Sequence, residues 1–178
     1  MANYITISRI LLIFPVLILA SPEPSTGNWV ALILFVVAGV TDHLDGYIAR
    51  KTNTTSSLGA LLDLLADKLL VCIVLVYLVS ISGDILLTLA ALIIIAREIF
   101  ISYLRQYLSE KEENQSIKVN IIGKIKTTLQ IIALSFLIIS PNFGPNFYFI
   151  SLILIWISAY ASLYSLLRYL KNYKNLIK

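Results

Sequence analysis

The sequence has few of the residues that a soluble domain places on its surface: 13% of its 178 residues are charged and 58% are hydrophobic. A soluble domain carries about 25% charged residues. The mean hydropathy of +0.87 reflects apolar runs of transmembrane length along most of the chain. We therefore expect an all-α integral membrane protein that forms one domain, residues 1–178, with membrane lipids around it and no nucleic-acid partner.

Cysteine and histidine occur once each. The single Cys72 excludes an internal disulfide bond, and its apolar surroundings (VCIVLVYL) predict a packing role rather than a nucleophilic one. The single His43 is interpreted as a packing or interfacial residue. These two residues are therefore not candidates for a functional site, and the candidates are carboxylates.

Breaker residues divide the chain into six apolar segments. The separating stretches are SPEPSTGN, RKTNTTSS, SISGD, SEKEENQS and SPNFGPN. The pattern predicts six transmembrane helices in one bundle, at roughly 4–20, 28–49, 57–80, 84–108, 117–140 and 146–170.

Basic residues are absent from alternate loops of this helix map. All 14 lysines and arginines fall on one side, and the loops on the other side contain Glu23 and Asp84. The positive-inside rule then predicts a multi-pass protein of the cell (inner) membrane, with both termini in the cytoplasm. The resulting basic collar suits anionic headgroups or phosphorylated substrates.

Four aspartates interrupt the apolar segments on that same side. Asp42 and Asp45 are three positions apart, and Asp63 and Asp67 are four apart, so each pair shares one face of its helix. A short polar turn, predicted for residues 50–57, brings the two pairs together. Carboxylates at membrane depth are costly and are usually functional. Two divalent cations would neutralise them, and oxygen ligands favour Mg²⁺ or Mn²⁺.

Small and basic residues accompany these acids: Gly46, Ala49, Arg50 and Gly59. Small residues let a ligand approach the backbone, and an arginine at a helix end can bind phosphate through two hydrogen bonds. The pattern indicates a two-metal site for a pyrophosphate compound at the cytoplasmic boundary. A buried structural network, the acid cluster of an ion transporter, a scaffold and an aspartate-rich membrane prenyltransferase are the alternatives.

The full spacing, D-x2-D-G-x2-A-R-x8-G-x3-D-x3-D, resembles the motif of the CDP-alcohol phosphatidyltransferases. The resemblance implies that Asp42, Asp45, Asp63 and Asp67 bind two Mg²⁺ or Mn²⁺ ions per active site and that Asp67 is also the general base. It further implies a binding site for CDP-diacylglycerol formed by Asp42, Gly46, Ala49, Arg50 and Gly59. Members of the family are commonly homodimers, and a homodimer is expected here.

Four basic residues are predicted to lie at the same cytoplasmic mouth and to bind the phosphate of a phosphorylated acceptor: Arg97, Arg105, Lys124 and Lys126. The segments ADK, ARE, LR and GKIKT, with the N-terminal pattern N-x-I-T-x-x-R, resemble the phosphatidylglycerophosphate synthases of this family. That resemblance implies transfer of the phosphatidyl group to sn-glycerol 3-phosphate with release of CMP.

The residues leave other acceptors open. Phosphatidylglycerol (in a cardiolipin synthase), serine and inositol phosphate are the alternative acceptors. Tyr103 stands where relatives commonly have glycine, and we expect its side chain to narrow the acceptor pocket.

Overall fold

The computed structural model describes residues 2–52, 57–110 and 121–172, and the side chains of residues 8–41, 65–66, 68–104, 106–107 and 126–171. Within these ranges the chain forms six α-helices and a single 3₁₀ turn, and it contains no strand. The helices are α1 (Ala2–Leu19), α2 (Thr26–Thr52), α3 (Ser57–Ser82), α4 (Ile85–Glu110), α5 (Ile121–Ile139) and α6 (Pro145–Asn172), and the 3₁₀ turn is Ser140–Asn142. The prediction of an all-α chain with six helices is confirmed.

The observed helix ends follow local backbone chemistry. Gly83, between α3 and α4, and Gly144, before α6, have φ angles of 62° and 83°, a region that L-residues with side chains rarely adopt. Asp84 caps α4, because its Oδ1 accepts a hydrogen bond of 2.7 Å from the backbone N–H of Leu86.

The end of α2 differs from the prediction, and two predicted stretches lie outside the described residues. A turn was expected to start at Arg50, but α2 continues through Arg50 to Thr52. It continues because arginine and lysine, at positions 50 and 51, favour a helix that is already formed. Residues 53–56, the remainder of that turn, lie outside the described residues, as do residues 117–120, which were expected to begin α5.

Tight packing of small residues holds the bundle together. Helix α1 packs against α2 and α3, α4 against α3 and α6, and α5 against α2 and α6. The fully buried residues at these contacts include small ones: Ala31, Ala38, Ala90, Ala133, Ser151, Ser158 and Ser162. Small side chains let membrane helices approach closely, where van der Waals contact replaces the hydrophobic driving force of water.

Three loops meet at one end of the bundle. The side-chain amide of Asn28, in the first turn of α2, donates to Oδ1 of Asn142 over 2.7 Å. The side-chain amide of Asn142 donates to the backbone carbonyl of Ser25 over 2.8 Å, which ties the loop between α1 and α2 to the loop between α5 and α6. The hydroxyl of Tyr148 donates to Oδ2 of Asp84 over 3.0 Å, which adds the loop between α3 and α4. We call this the asparagine end. Because successive helices run in opposite directions, the end of α2, the start of α3 and the start of α5 lie at the other end, the motif end.

The outer surface of the bundle is apolar. Ile18 is 80% exposed and Ile85 67%, and exposed apolar area on this scale marks contact with lipid or with another protein. Among the described residues, the segments Ile85–Leu104 and Pro145–Lys171 are long and apolar enough to cross a membrane. Three shorter apolar segments occur as well, Ser8–Leu19, Thr26–Thr41 and Lys68–Ser82.

Candidate functional site

The four aspartates of the sequence motif lie on two helices at the motif end. Asp42 and Asp45 belong to α2, and Asp63 and Asp67 belong to α3. The backbone is helical at all four positions, so each pair shares a helix face, as the spacing predicted.

The side chains of most predicted site residues lie outside the described ones. These residues are Asp42, Asp45, Gly46, Ala49, Arg50, Gly59, Asp63, Asp67, Arg105 and Lys124. Their places in the helices are known: Gly46, Ala49 and Arg50 follow the first aspartate pair on α2, and Gly59 precedes the second pair on α3. The predicted roles of these side chains therefore stay predictions.

The donor set of the motif suits a hard divalent cation. Four carboxylates at helical spacing offer only oxygen ligands, which Mg²⁺ and Mn²⁺ prefer. Among the described side chains, no group of three histidines, cysteines, aspartates or glutamates could hold a metal ion. The four aspartates of α2 and α3 thus remain the candidate metal ligands.

Lys68 follows the last aspartate directly and links α3 to α4. Its Nζ donates to the hydroxyl of Ser102, and that hydroxyl donates to the backbone carbonyl of Glu98 over 2.6 Å. Because Asp67 is the neighbour of Lys68 on α3, this contact places the part of α3 that follows the motif against the last third of α4.

The carboxylate of Glu98 gathers two cationic side chains. Nη1 of Arg97 lies 3.1 Å from its Oε1, and Nζ of Lys126, from α5, forms an ion pair with the same oxygen. Arg97 is 7% exposed and Lys126 5%, so both cations face the bundle interior, as was expected for Arg97. Buried ion pairs persist only when hydrogen bonds and opposite charges compensate them.

A third helix completes the arrangement. Nη2 of Arg97 donates to the hydroxyl of Ser165 on α6 over 3.0 Å. We call Lys68, Arg97, Glu98, Ser102, Lys126 and Ser165 the basic cluster. It brings three cationic side chains together around one carboxylate, and arginine and lysine are the side chains that bind phosphate.

Arg97 and Lys126 were predicted together, and the structure brings them onto one carboxylate. Arg105 lies further along α4. Lys124 also belongs to α5, but positions two apart on a helix do not share a face. Lys124 is therefore on a different face of α5 from Lys126.

The sequence did not indicate four members of the basic cluster, and the prediction for Tyr103 was wrong. One of the four is Lys68, which entered only as part of the ADK segment. Ser102 and Ser165 gave no signal because serine is common on membrane helices, and Glu98 was noted only as the neighbour of Arg97. The side chain of Tyr103 is 70% exposed on the outside of α4. It cannot narrow a pocket inside this bundle, because position 103 is turned about 120° from position 97 around a helix of 3.6 residues per turn.

Comparison with known proteins identifies the family. The family model for CDP-alcohol phosphatidyltransferase matches residues 1–164. A CDP-diacylglycerol–glycerol-3-phosphate 3-phosphatidyltransferase of Escherichia coli (strain K12) is 40% identical over 167 residues, which are 93% of this chain and 90% of that protein. The protein of the same name from Shigella flexneri serotype 5b (strain 8401) is 39% identical over the same shares of both chains. The chain belongs to the CDP-alcohol phosphatidyltransferase family.

Proposed function

We propose that this protein transfers the phosphatidyl group of CDP-diacylglycerol to sn-glycerol 3-phosphate, giving phosphatidylglycerophosphate and CMP. The similar proteins from Escherichia coli and Shigella flexneri carry this activity in their names and align with 93% of the chain. The single structural observation that carries the choice of acceptor is the buried basic cluster at the motif end. A neutral acceptor such as serine or glycerol would not need two buried cations on one carboxylate.

The donor site of this proposal is formed by α2 and α3. Asp42, Asp45, Asp63 and Asp67 would hold two Mg²⁺ or Mn²⁺ ions, which when bound would compensate the charge of the diphosphate. The small residues Gly46, Ala49 and Gly59 leave room for the cytidine moiety next to the backbone. Arg50, near the end of α2, would bind a phosphate of the donor through its guanidinium group.

The reaction then needs a base and a phosphate site for the acceptor. Asp67 accepts the proton from the C1 hydroxyl of glycerol 3-phosphate. The C1 oxygen forms a bond to the β-phosphorus, which bears the diacylglycerol, while the bond from that phosphorus to the oxygen of CMP breaks. Arg97 and Lys126 bind the acceptor's phosphate, with Arg105 and Lys124 contributing positive charge nearby. Lys68, the neighbour of Asp67 on α3, donates a hydrogen bond to Ser102 of the basic cluster.

The setting of the proposed reaction is a membrane. We propose one domain of six transmembrane helices in the cell (inner) membrane, with both termini and the motif end facing the cytoplasm, where glycerol 3-phosphate is available. The location of all 14 basic residues on one side of the helix map supports this orientation. A homodimer is proposed by analogy with the family.

The test of the proposed chemistry is a substitution at the general base. Asp67→Asn keeps the side chain's shape but removes the proton acceptor, so CMP release from CDP-diacylglycerol and glycerol 3-phosphate should fall at least about 100-fold. The matched control is Asp84→Asn at the asparagine end, where asparagine caps a helix as well as aspartate does. Near-normal turnover by Asp67→Asn would remove Asp67 from the role of base.

A further inference from the structure

Ser165 is the residue through which α6 reaches the basic cluster. Its hydroxyl accepts a hydrogen bond of 3.0 Å from Nη2 of Arg97, while Nη1 of the same arginine bonds to Glu98 over 3.1 Å. One contact comes from α6 and the other from α4, so the two terminal nitrogens of one guanidinium group are held from two helices.

Two contacts at different nitrogens fix more than the position of the group. A guanidinium group is planar, and its N–H donors point in fixed directions within that plane. The bond to Glu98 constrains the guanidinium group along one direction. The bond to Ser165, from a different helix, constrains it along a second direction and so helps to hold its plane.

We propose that Ser165 is a positioning residue for the acceptor. It holds the plane of the Arg97 guanidinium group in the orientation that binds the phosphate of glycerol 3-phosphate. This inference rests on the function proposed above and adds α6 to the acceptor site. Phosphate recognition by arginine depends on two parallel hydrogen bonds, which require the plane of the guanidinium group to face the phosphate oxygens. Ser165 acts through Arg97 and makes no contact of its own with the substrate.

The same helix offers a matched control. Ser162 lies one turn deeper on α6 and is fully buried, and its hydroxyl has no hydrogen-bond partner among the described residues. Ser158, one turn deeper again, shares both properties. Loss of a buried hydroxyl from α6 can therefore be separated from loss of the contact with Arg97.

The first experiment measures steady-state kinetics of the purified full-length protein in detergent micelles with CDP-diacylglycerol and Mg²⁺. For Ser165→Ala we expect the KM for glycerol 3-phosphate to rise about tenfold, the scale of one hydrogen bond to a charged group. The kcat and the KM for CDP-diacylglycerol should stay within about twofold of the original values. A twofold change in either constant is smaller than the change expected from the loss of one hydrogen bond. Ser165→Thr, which keeps a hydroxyl, should restore the KM, and Ser162→Ala should leave it unchanged.

A double substitution tests whether Ser165 works through Arg97. In an Arg97→Ala background, Ser165→Ala should cause no further rise in the KM for glycerol 3-phosphate. The effects of two substitutions are not additive when both remove the same contact. The same rise in both backgrounds would overturn the inference, and so would equal weakening of both substrates by Ser165→Ala. A melting temperature for each variant identifies unfolding, and in that case Ser165→Cys, which keeps the size but bonds weakly, replaces the alanine variant.

Failure of this inference differs from failure of the proposed function. If the unmodified protein releases no CMP with glycerol 3-phosphate, the proposed acceptor is wrong. If it does release CMP and Ser165→Ala has the original KM, the acceptor stands and the positioning role of Ser165 is wrong.

Discussion

The ammonium group of Lys126 and the carboxylate of Glu98 form a buried ion pair between α5 and α4, and Arg97 shares the same carboxylate oxygen. Glu98 therefore has two tasks at the motif end. Its negative charge compensates two cations in apolar surroundings. It also keeps both cations near α3, on which Lys68 follows the last aspartate of the motif. Removing this carboxylate should lower the free energy of unfolding more than it changes the rate of the reaction.

Glu98→Ala should destabilise the protein by about 3–5 kcal/mol, because it removes the carboxylate that two buried cations share. Glu98→Gln should cost less, since the amide oxygen still accepts hydrogen bonds. Thermal unfolding in detergent checks this prediction. Glu23→Ala, at an exposed glutamate of the asparagine end, is the control, and equal melting temperatures for Glu98→Ala and Glu23→Ala would contradict the assigned role.

Asn142→Ala should destabilise the asparagine end without changing substrate affinity. The substitution removes the 2.7 Å bond from the fully buried Asn28 and the 2.8 Å bond to the carbonyl of Ser25. Leaving buried polar groups unpaired costs about 1–3 kcal/mol, so the melting temperature should fall while both KM values stay the same. Asn146→Ala, at an exposed position of the same end, is the control. A large change in KM would mean that this end communicates with the site.

Removal of divalent metal should abolish CMP release, and added Mg²⁺ or Mn²⁺ should restore it. Four clustered carboxylates cannot all stay ionised at membrane depth without cations. Asp42→Asn should raise the Mg²⁺ concentration needed for half-maximal rate, because one of the proposed ligands has lost its charge. Full turnover in excess chelator would contradict the two-metal proposal.

The orientation of the bundle can be read from cysteine labelling in intact cells. In a Cys72→Ser background, Thr54→Cys lies in the connection between α2 and α3, and Pro24→Cys lies in the exposed loop at the asparagine end. A membrane-impermeant maleimide should label Pro24→Cys from outside and should reach Thr54→Cys only after the membrane is opened. The reverse pattern would place the motif end outside the cell.

The sequence was sufficient to predict the helices and the motif because both depend on residue spacing along the chain. Turn residues such as Gly83 and Gly144 mark the helix ends by their backbone conformation, and three- and four-residue spacings reveal shared helix faces. The extension of α2 to Thr52 was not predicted, because Arg50 and Lys51 were assigned to a polar turn although both residue types favour a helix that is already formed.

Contacts between distant helices were beyond the reach of spacing. The bond between Arg97 and Ser165 joins residues 68 positions apart, and it depends on how α6 is rotated against α4. The exposed side chain of Tyr103 illustrates the same limit, because the face of α4 that meets the bundle is known only once its neighbours are in place. Among the described residues, Glu98 shows both kinds of relationship. It is a neighbour of Arg97 in the sequence, and it is a partner of Lys126 through a contact between helices.

The most direct measurement of the central claim is mass spectrometry of the lipid that the purified protein makes from CDP-diacylglycerol and Mg²⁺ when several acceptors compete. Glycerol 3-phosphate, glycerol, serine, inositol phosphate and phosphatidylglycerol are supplied together at equal concentration. The account predicts phosphatidylglycerophosphate as the dominant product, with one CMP released for each lipid formed. Phosphatidylserine, cardiolipin or a phosphatidylinositol phosphate as the main product would contradict the proposed acceptor, and absence of any new lipid would contradict the transferase itself.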